Sequence, residues 1–77
     1  MDFDTAFAAT LRSHRNRMEL TQEELGFRAN VDRSYVSLLE RKKFTPTLKL
    51  VFKICEALGI TPSEFVSDLE KRLKGEI

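Results

Sequence analysis

The tightest constraint in this sequence is a glycine, Gly26, set inside a helical stretch with room for only about two turns. Thr21-Gln22-Glu23-Glu24 is a capping box, with Thr21 as N-cap and Glu24 reaching back from N3. Asn30 tolerates the left-handed conformation that ends a helix, and Asp32 is fitted to cap the next one. A glycine inside so short a helix costs roughly 1 kcal/mol against alanine, so it needs a packing reason. Close approach supplies one. Leu25 and Ala29 turn inward, Gly26 is small where the following helix passes nearest, and Val31 is apolar just after the turn. Val36 and Leu39 then anchor a helix running to about Arg41. Residues 21 to 41 must therefore form two short helices crossing at a tight turn.

The rest of the chain repeats apolar residues at spacings of three and four. Phe3, Phe7, Leu11, His14 and Met18 mark one face of a first helix from about Asp4 to Arg17. A fourth helix runs from about Thr47 to Leu58, with Leu48, Val51, Ile54, Cys55 and Leu58 inward and Gly59 as its C-cap. Thr61-Pro62-Ser63-Glu64 opens a fifth, whose stripe is Phe65, Val66, Leu69 and Leu73 and which ends near Gly75. Only two prolines and three glycines interrupt the chain, and no strand alternation, repeat or linker is present. The expectation is one all-α domain over residues 1–77, a five-helix bundle.

Composition excludes several function classes. One cysteine and one histidine permit neither a disulfide framework nor a His/Cys zinc site, and the cysteine count suits a reducing compartment. No apolar run nears the roughly 18 residues of a membrane span, and the acidic start MDFDTAFAAT is unlike a signal peptide. No P-loop, nucleophile elbow or metal triad is present, so an enzyme is not expected. His14 reads as a satisfied core or boundary residue and Cys55 as a small hydrophobe. Glu23, Glu24, Glu64 and Glu70 read as caps and solvated faces. A chain of 77 residues buries only about 60% of its unfolded surface and is marginal alone.

The net charge of +1 hides an asymmetry. Residues 28 to 53 carry seven positive and two negative charges, +5, whereas residues 54 to 77 carry three positive and five negative, −2. Charge alone leaves two readings open, a face for a polyanion or an ordinary solvated surface. The crossing helices meet the requirements of a helix-turn-helix, with the second as recognition helix.

Residues 8 to 66 resemble the phage-repressor/Cro family of DNA-binding domains, also called the xenobiotic-response-element family. The runs L-R-S-H-R-N-R-M-E-L-T-Q-E-E-L, V-D-R-S-Y-V-S-L-L-E-R-K-K-F-T-P-T-L and K-I-C-E-A-L-G-I carry the resemblance in order and spacing. The short length and the R-S-Y-V-S helix look similar to restriction–modification controller proteins. The resemblance implies a lambda-repressor-like five-helix bundle acting as a transcriptional regulator. It implies a homodimer on a palindromic operator in double-stranded DNA, with recognition helices about 34 Å apart. No cofactor, metal, membrane or small-molecule ligand is implied. The expected location is a bacterial or phage-type cytoplasm, on the nucleoid when bound.

The resemblance also assigns roles. Gln22 matches a phosphate-contacting glutamine, as suits an amide at a helix N-terminus. Arg15 and Glu40 match a buried ion pair. On the helical wheel Ser34, Ser37, Leu38 and Arg41 face away from Val36 and Leu39, with Arg33 projecting from the first turn. Arg33 would pair bidentately with guanine, and Ser34 and Ser37 would act as less selective donors or acceptors. Leu38 would touch a thymine methyl, or else is an exposed leucine with no role. Tyr35 suits a phosphate or a partner contact and Arg41 the DNA backbone, as do Lys43, Phe44 and Thr45 unless theirs is a plain basic loop. Glu19, Asn30 and Lys42 stand where the family often has glycine; Asn30 is a tolerable substitute, whereas Glu19 and Lys42 are strained if those sites keep positive φ.

Dimerisation is expected from about residues 50 to 75, through Leu50, Phe52, Phe65, Leu69 and Leu73. The alternative is that the fifth helix folds back to complete the core of one chain. A rival function is an antitoxin-like protein-interaction module. The donors Arg33, Ser34, Ser37 and Arg41 favour DNA.

Overall fold

A computed structural model describes all 77 residues. The helices are α1 (Phe3–Arg17), α2 (Gln22–Ala29), α3 (Arg33–Glu40), α4 (Leu48–Leu58) and α5 (Pro62–Leu73), with no strand, as the resemblance implied. Every helix opens on a side-chain cap. Asp2, Thr21, Asp32, Thr47 and Thr61 accept from the backbone N–H groups of Thr5, Glu24, Ser34, Leu50 and Glu64. The Asp2 cap starts α1 at Phe3, one residue before the sequence expectation. The Thr21–Glu24 capping box is reciprocal.

Every helix also closes alike. Glu19, Asn30, Lys42, Gly59 and Gly75 have φ of 56, 57, 62, 73 and 76°. The N–H of the next residue turns back into the last helical turn: Leu20 to Arg15, Val31 to Gly26, Lys43 to Leu38, Ile60 to Cys55 and Glu76 to Lys71. This is the Schellman closure, which satisfies carbonyls that a helix end leaves unpaired. Glycine and asparagine tolerate it. Glu19 and Lys42 do so at a cost of about 1 kcal/mol each.

The helices enclose one core: Ala6, Phe7, Leu11, Leu20, Leu25, Ala29, Val36, Leu39, Val51, Ile54, Cys55, Leu58, Phe65 and Leu69. α1 packs on α3 and α5, α2 on α3 and α4, and α4 on α5. Phe7 and Phe65 meet with centroids 5.3 Å apart. A β-carbon at Gly26 would lie 2.9 Å from the Val31 carbonyl oxygen and 3.2 Å from the backbone of Arg33. That contact is the packing reason the glycine required.

Several expected core positions lie outside. Phe3 and Met18, at the two ends of α1, are exposed. Ala6, Ala8 and Thr10 fill the space instead, and the Thr10 hydroxyl donates to the Ala6 carbonyl at 2.8 Å. Leu48 begins α4 and is 70% exposed. Val66 and Leu73 flank the α5 stripe and are also exposed. His14 is a satisfied boundary residue: it is buried beside Phe65, its Nε2 2.7 Å from Asp68 Oδ2. Cys55 is fully buried, and burial pushes its thiol up to about 11, which keeps it protonated and inert.

Gly26→Ala should destabilise the chain by about 1–3 kcal/mol, because backbone and not a flexible side chain must move. Glu19→Gly should stabilise it by about 1 kcal/mol. Urea unfolding followed by circular dichroism measures both, and a neutral Gly26→Ala would contradict the close approach.

Candidate nucleic-acid interface

The outward face of α3 is oriented by a carboxylate that does not belong to it. Glu40, on the last turn of α3, is buried. Arg15 Nε donates to its Oε2 at 2.7 Å and Nη2 to its Oε1 at 2.9 Å, while Nη1 donates to the Leu20 carbonyl at 2.8 Å. Arg12 adds a long contact from Nε to Oε1 at 3.4 Å and donates from Nη2 to the Glu40 carbonyl at 3.1 Å. Gln22 Nε2 completes the set, donating to Oε1 at 3.2 Å. Burial alone would push the Glu40 carboxyl up, but Arg15, Gln22 and Arg12 outweigh it and hold it low. Glu40 in turn raises the Arg15 guanidinium. The sequence reading lacked Arg12, although Arg12 and Arg15 are three residues apart on one helix face.

With Val36, Leu39 and Glu40 turned inward, α3 presents Arg33, Ser34 and Tyr35 to solvent. Ser37 and Leu38 are half-buried, and exposed Arg41 donates from Nε to Ser37 Oγ at 3.2 Å. Arg33 Nη1 donates to Glu23 Oε2 at 3.0 Å. Glu23 is thus more than a solvated charge. Gln22 is half-buried and gives one amide hydrogen to Glu40, so its second N–H and its oxygen remain.

The loop after α3 carries Lys42, Lys43, Phe44 and Thr45, all exposed. Its first turn is fixed by the Lys43 N–H bond to the Leu38 carbonyl at 2.8 Å. Phe44 folds back onto Tyr35 with centroids 5.4 Å apart. With Val31 and Leu50 the two rings wall an open hollow rimmed by Lys49 and Lys53. Arg41, Lys42, Lys43, Lys49 and Lys53 have no carboxylate within 4.0 Å. These five members of the sequence's basic block are therefore free cations beside α3, whereas Arg33 is paired with Glu23. Such a surface can bind a polyanion by counterion release, and the arginine and serine donors of α3 are of the types that can meet base edges.

The residues expected at a dimer interface divide. Phe65 and Leu69 are buried in the core of one chain, because α5 lies across α1 and α4. They are corrected to core residues. Phe52 and Leu73 are exposed and Leu50 is half-buried.

Residues 11–65 match the helix-turn-helix family HTH_3. A transcriptional regulator of helix-turn-helix type from Methanothermobacter thermautotrophicus is 43% identical over 49 residues, covering 64% of this chain and 71% of that one. Control protein C.MunI from a Mycoplasma species is 37% identical over 71 residues, covering 91% and 96%. The crystal structure of the restriction-modification controller protein C.AhdI from Aeromonas hydrophila superposes with a TM-score of 0.78 at 37% identity, covering 80% and 94%.

The Glu40 cluster fixes the sign of an acid response. A carboxyl held below its ordinary value adds stability above that value and loses it as pH falls through the folded one. The capping carboxylates Asp2, Glu24 and Asp32 are held low by backbone N–H bonds to Thr5, Thr21 or Ser34 and act in the same direction. Stability should be level near neutrality and fall below the ordinary glutamate value of 4.5. Glu40→Ala, which strands Arg15, should cost about 3–5 kcal/mol at pH 7. Denaturant midpoints measured from pH 7 to 3 on both proteins test this, the variant giving the shallower acid slope.

Proposed function

The chain belongs to the phage-repressor/Cro helix-turn-helix family of transcriptional regulators, and we propose that it acts as a homodimer on a palindromic operator in double-stranded DNA. The observation that carries this reading is the face of α3, where Arg33, Ser34 and Arg41 stand beside the unpaired cations Lys42 and Lys43. Arg33 reads a guanine through a bidentate contact, worth about 1–3 kcal/mol of discrimination. Ser34 and Ser37 add weaker contacts, and Leu38 meets a thymine methyl with the part of its side chain left uncovered. The remaining amide groups of Gln22 and the N-terminus of α2 take a phosphate. Tyr35, Arg41, Lys43, Phe44 and Thr45 follow the backbone and set register.

One recognition helix contacts too few bases to select a site, so two copies are required. Leu50, Phe52 and Leu73 are the apolar groups available to join them, together with exposed Val66. The mechanism is positional. Repression follows where the operator overlaps a promoter, and activation where the bound dimer touches polymerase. The near full-length likeness to C.MunI supports a narrower role as a restriction–modification controller. No helix is long and apolar enough to cross a membrane, and the proposed site of action is DNA in the cytoplasm.

Selection of duplexes from a random pool at about physiological salt tests the reading. The expected result is a palindrome with half-sites one helical turn apart. A pool that stays random, with salt-sensitive binding only, would overturn the operator and favour a protein partner. On the selected duplex, Arg33→Ala should relax preference at one base pair per half-site. Lys43→Ala should weaken binding to all sequences and flatten the salt slope by about one unit per protomer.

A further inference from the structure

Glu23 is a carboxylate on a face that should repel carboxylates. The other acidic groups of α2 and α3 are committed. Glu24 closes the capping box, Asp32 caps the Ser34 N–H at 2.8 Å, and Glu40 is buried among its cations. Glu23 alone has neither a capping nor a core role, and it meets Arg33 at 3.0 Å across the α2–α3 turn. Both side chains are about 70% exposed, and a pair so placed contributes little to folding. Its effect must fall on what Arg33 does.

We infer that Glu23 is a positioning and specificity-determining residue, holding Arg33 for a base and penalising its use on phosphate. The fork geometry permits both effects. Glu23 takes a hydrogen of Nη1, while Nη2 and Nε present a free edge with two parallel N–H groups. That edge can meet the two acceptors of guanine without release from Glu23. On non-specific DNA, Arg33 must swing to a phosphate. Glu23 then stands unpaired against the backbone, and like-charge proximity opposes binding. The carboxylate thus weakens every non-specific complex more than the specific one. The role rests on the DNA-reading function proposed above.

The test uses the full chain, the duplex enriched from the random pool and a shuffled duplex of equal length, at one salt concentration. Affinities are measured for the wild type, Glu23→Gln, Arg33→Ala and the double variant. Glu23→Gln should bind the shuffled duplex several-fold more tightly and lower the ratio of selected to shuffled affinity about tenfold. In the Arg33→Ala background the same change should tighten both duplexes alike and leave the ratio unmoved; a purely electrostatic role of Glu23 would leave the ratio unmoved in both backgrounds, and a structural one would lower it in both. An unchanged ratio in Glu23→Gln, or an equal fall in both backgrounds, overturns the assignment while leaving the DNA-reading function intact. A wild type that does not distinguish the two duplexes overturns that function and this role with it.

Discussion

Taking the Glu40 carboxylate out of water costs several kcal/mol unless cations and donors meet it in good geometry. Here they come from two other helices, Arg12 and Arg15 on α1 and Gln22 on α2. α3 therefore cannot rotate or slide against its neighbours without stranding a buried charge. Apolar packing of Val36 and Leu39 would tolerate a range of orientations, since hydrophobic burial is non-directional. The ion cluster removes that freedom and fixes which side of α3 faces outward. The same cluster reaches the proposed phosphate contact, because Gln22 divides its amide between Glu40 and solvent.

Short helices gain little from backbone cooperativity, and α2 and α3 have only eight residues each. They persist because both ends are satisfied, by a side-chain cap at the start and a left-handed closure at the end. The closure at Lys42 shows a local cost accepted at a useful place. A glycine would relax the backbone there, but lysine adds a cation where the loop leaves α3. Glu19 makes the same backbone conformation with no such charge benefit, and nothing in the structure explains its choice over glycine.

Much of the architecture was legible because it is written in local signals. The Thr21 box, the Asp32 and Thr61 caps, Asn30 and Gly59 mark helix limits within a residue or so. The Gly26 contact was readable from its cost alone. What periodicity could not show is where a stripe stops being covered. Phe3, Met18 and Leu48 lie in register with buried residues but at helix ends, beyond the reach of a neighbour. Nor could a stripe say whether Phe65 and Leu69 serve one chain or two, which depends on the angle at which α5 crosses α1. Of the candidate interface, the outward side of α3 was legible from the helical wheel. The Glu23–Arg33 pair and the part played by Arg12 were not, since both join residues on different helices.

Within its eight residues, α3 separates two duties by side. Val36, Leu39 and Glu40 hold the helix in place, whereas Arg33 and Ser34 are exposed and contribute nothing to the core. Substitution on the outward side therefore leaves the inward side undisturbed. Under the proposed function, a lineage can exchange one target sequence for another by small surface steps, each passing through a folded intermediate. Duplicated copies of such a chain can diverge in address while keeping a common scaffold.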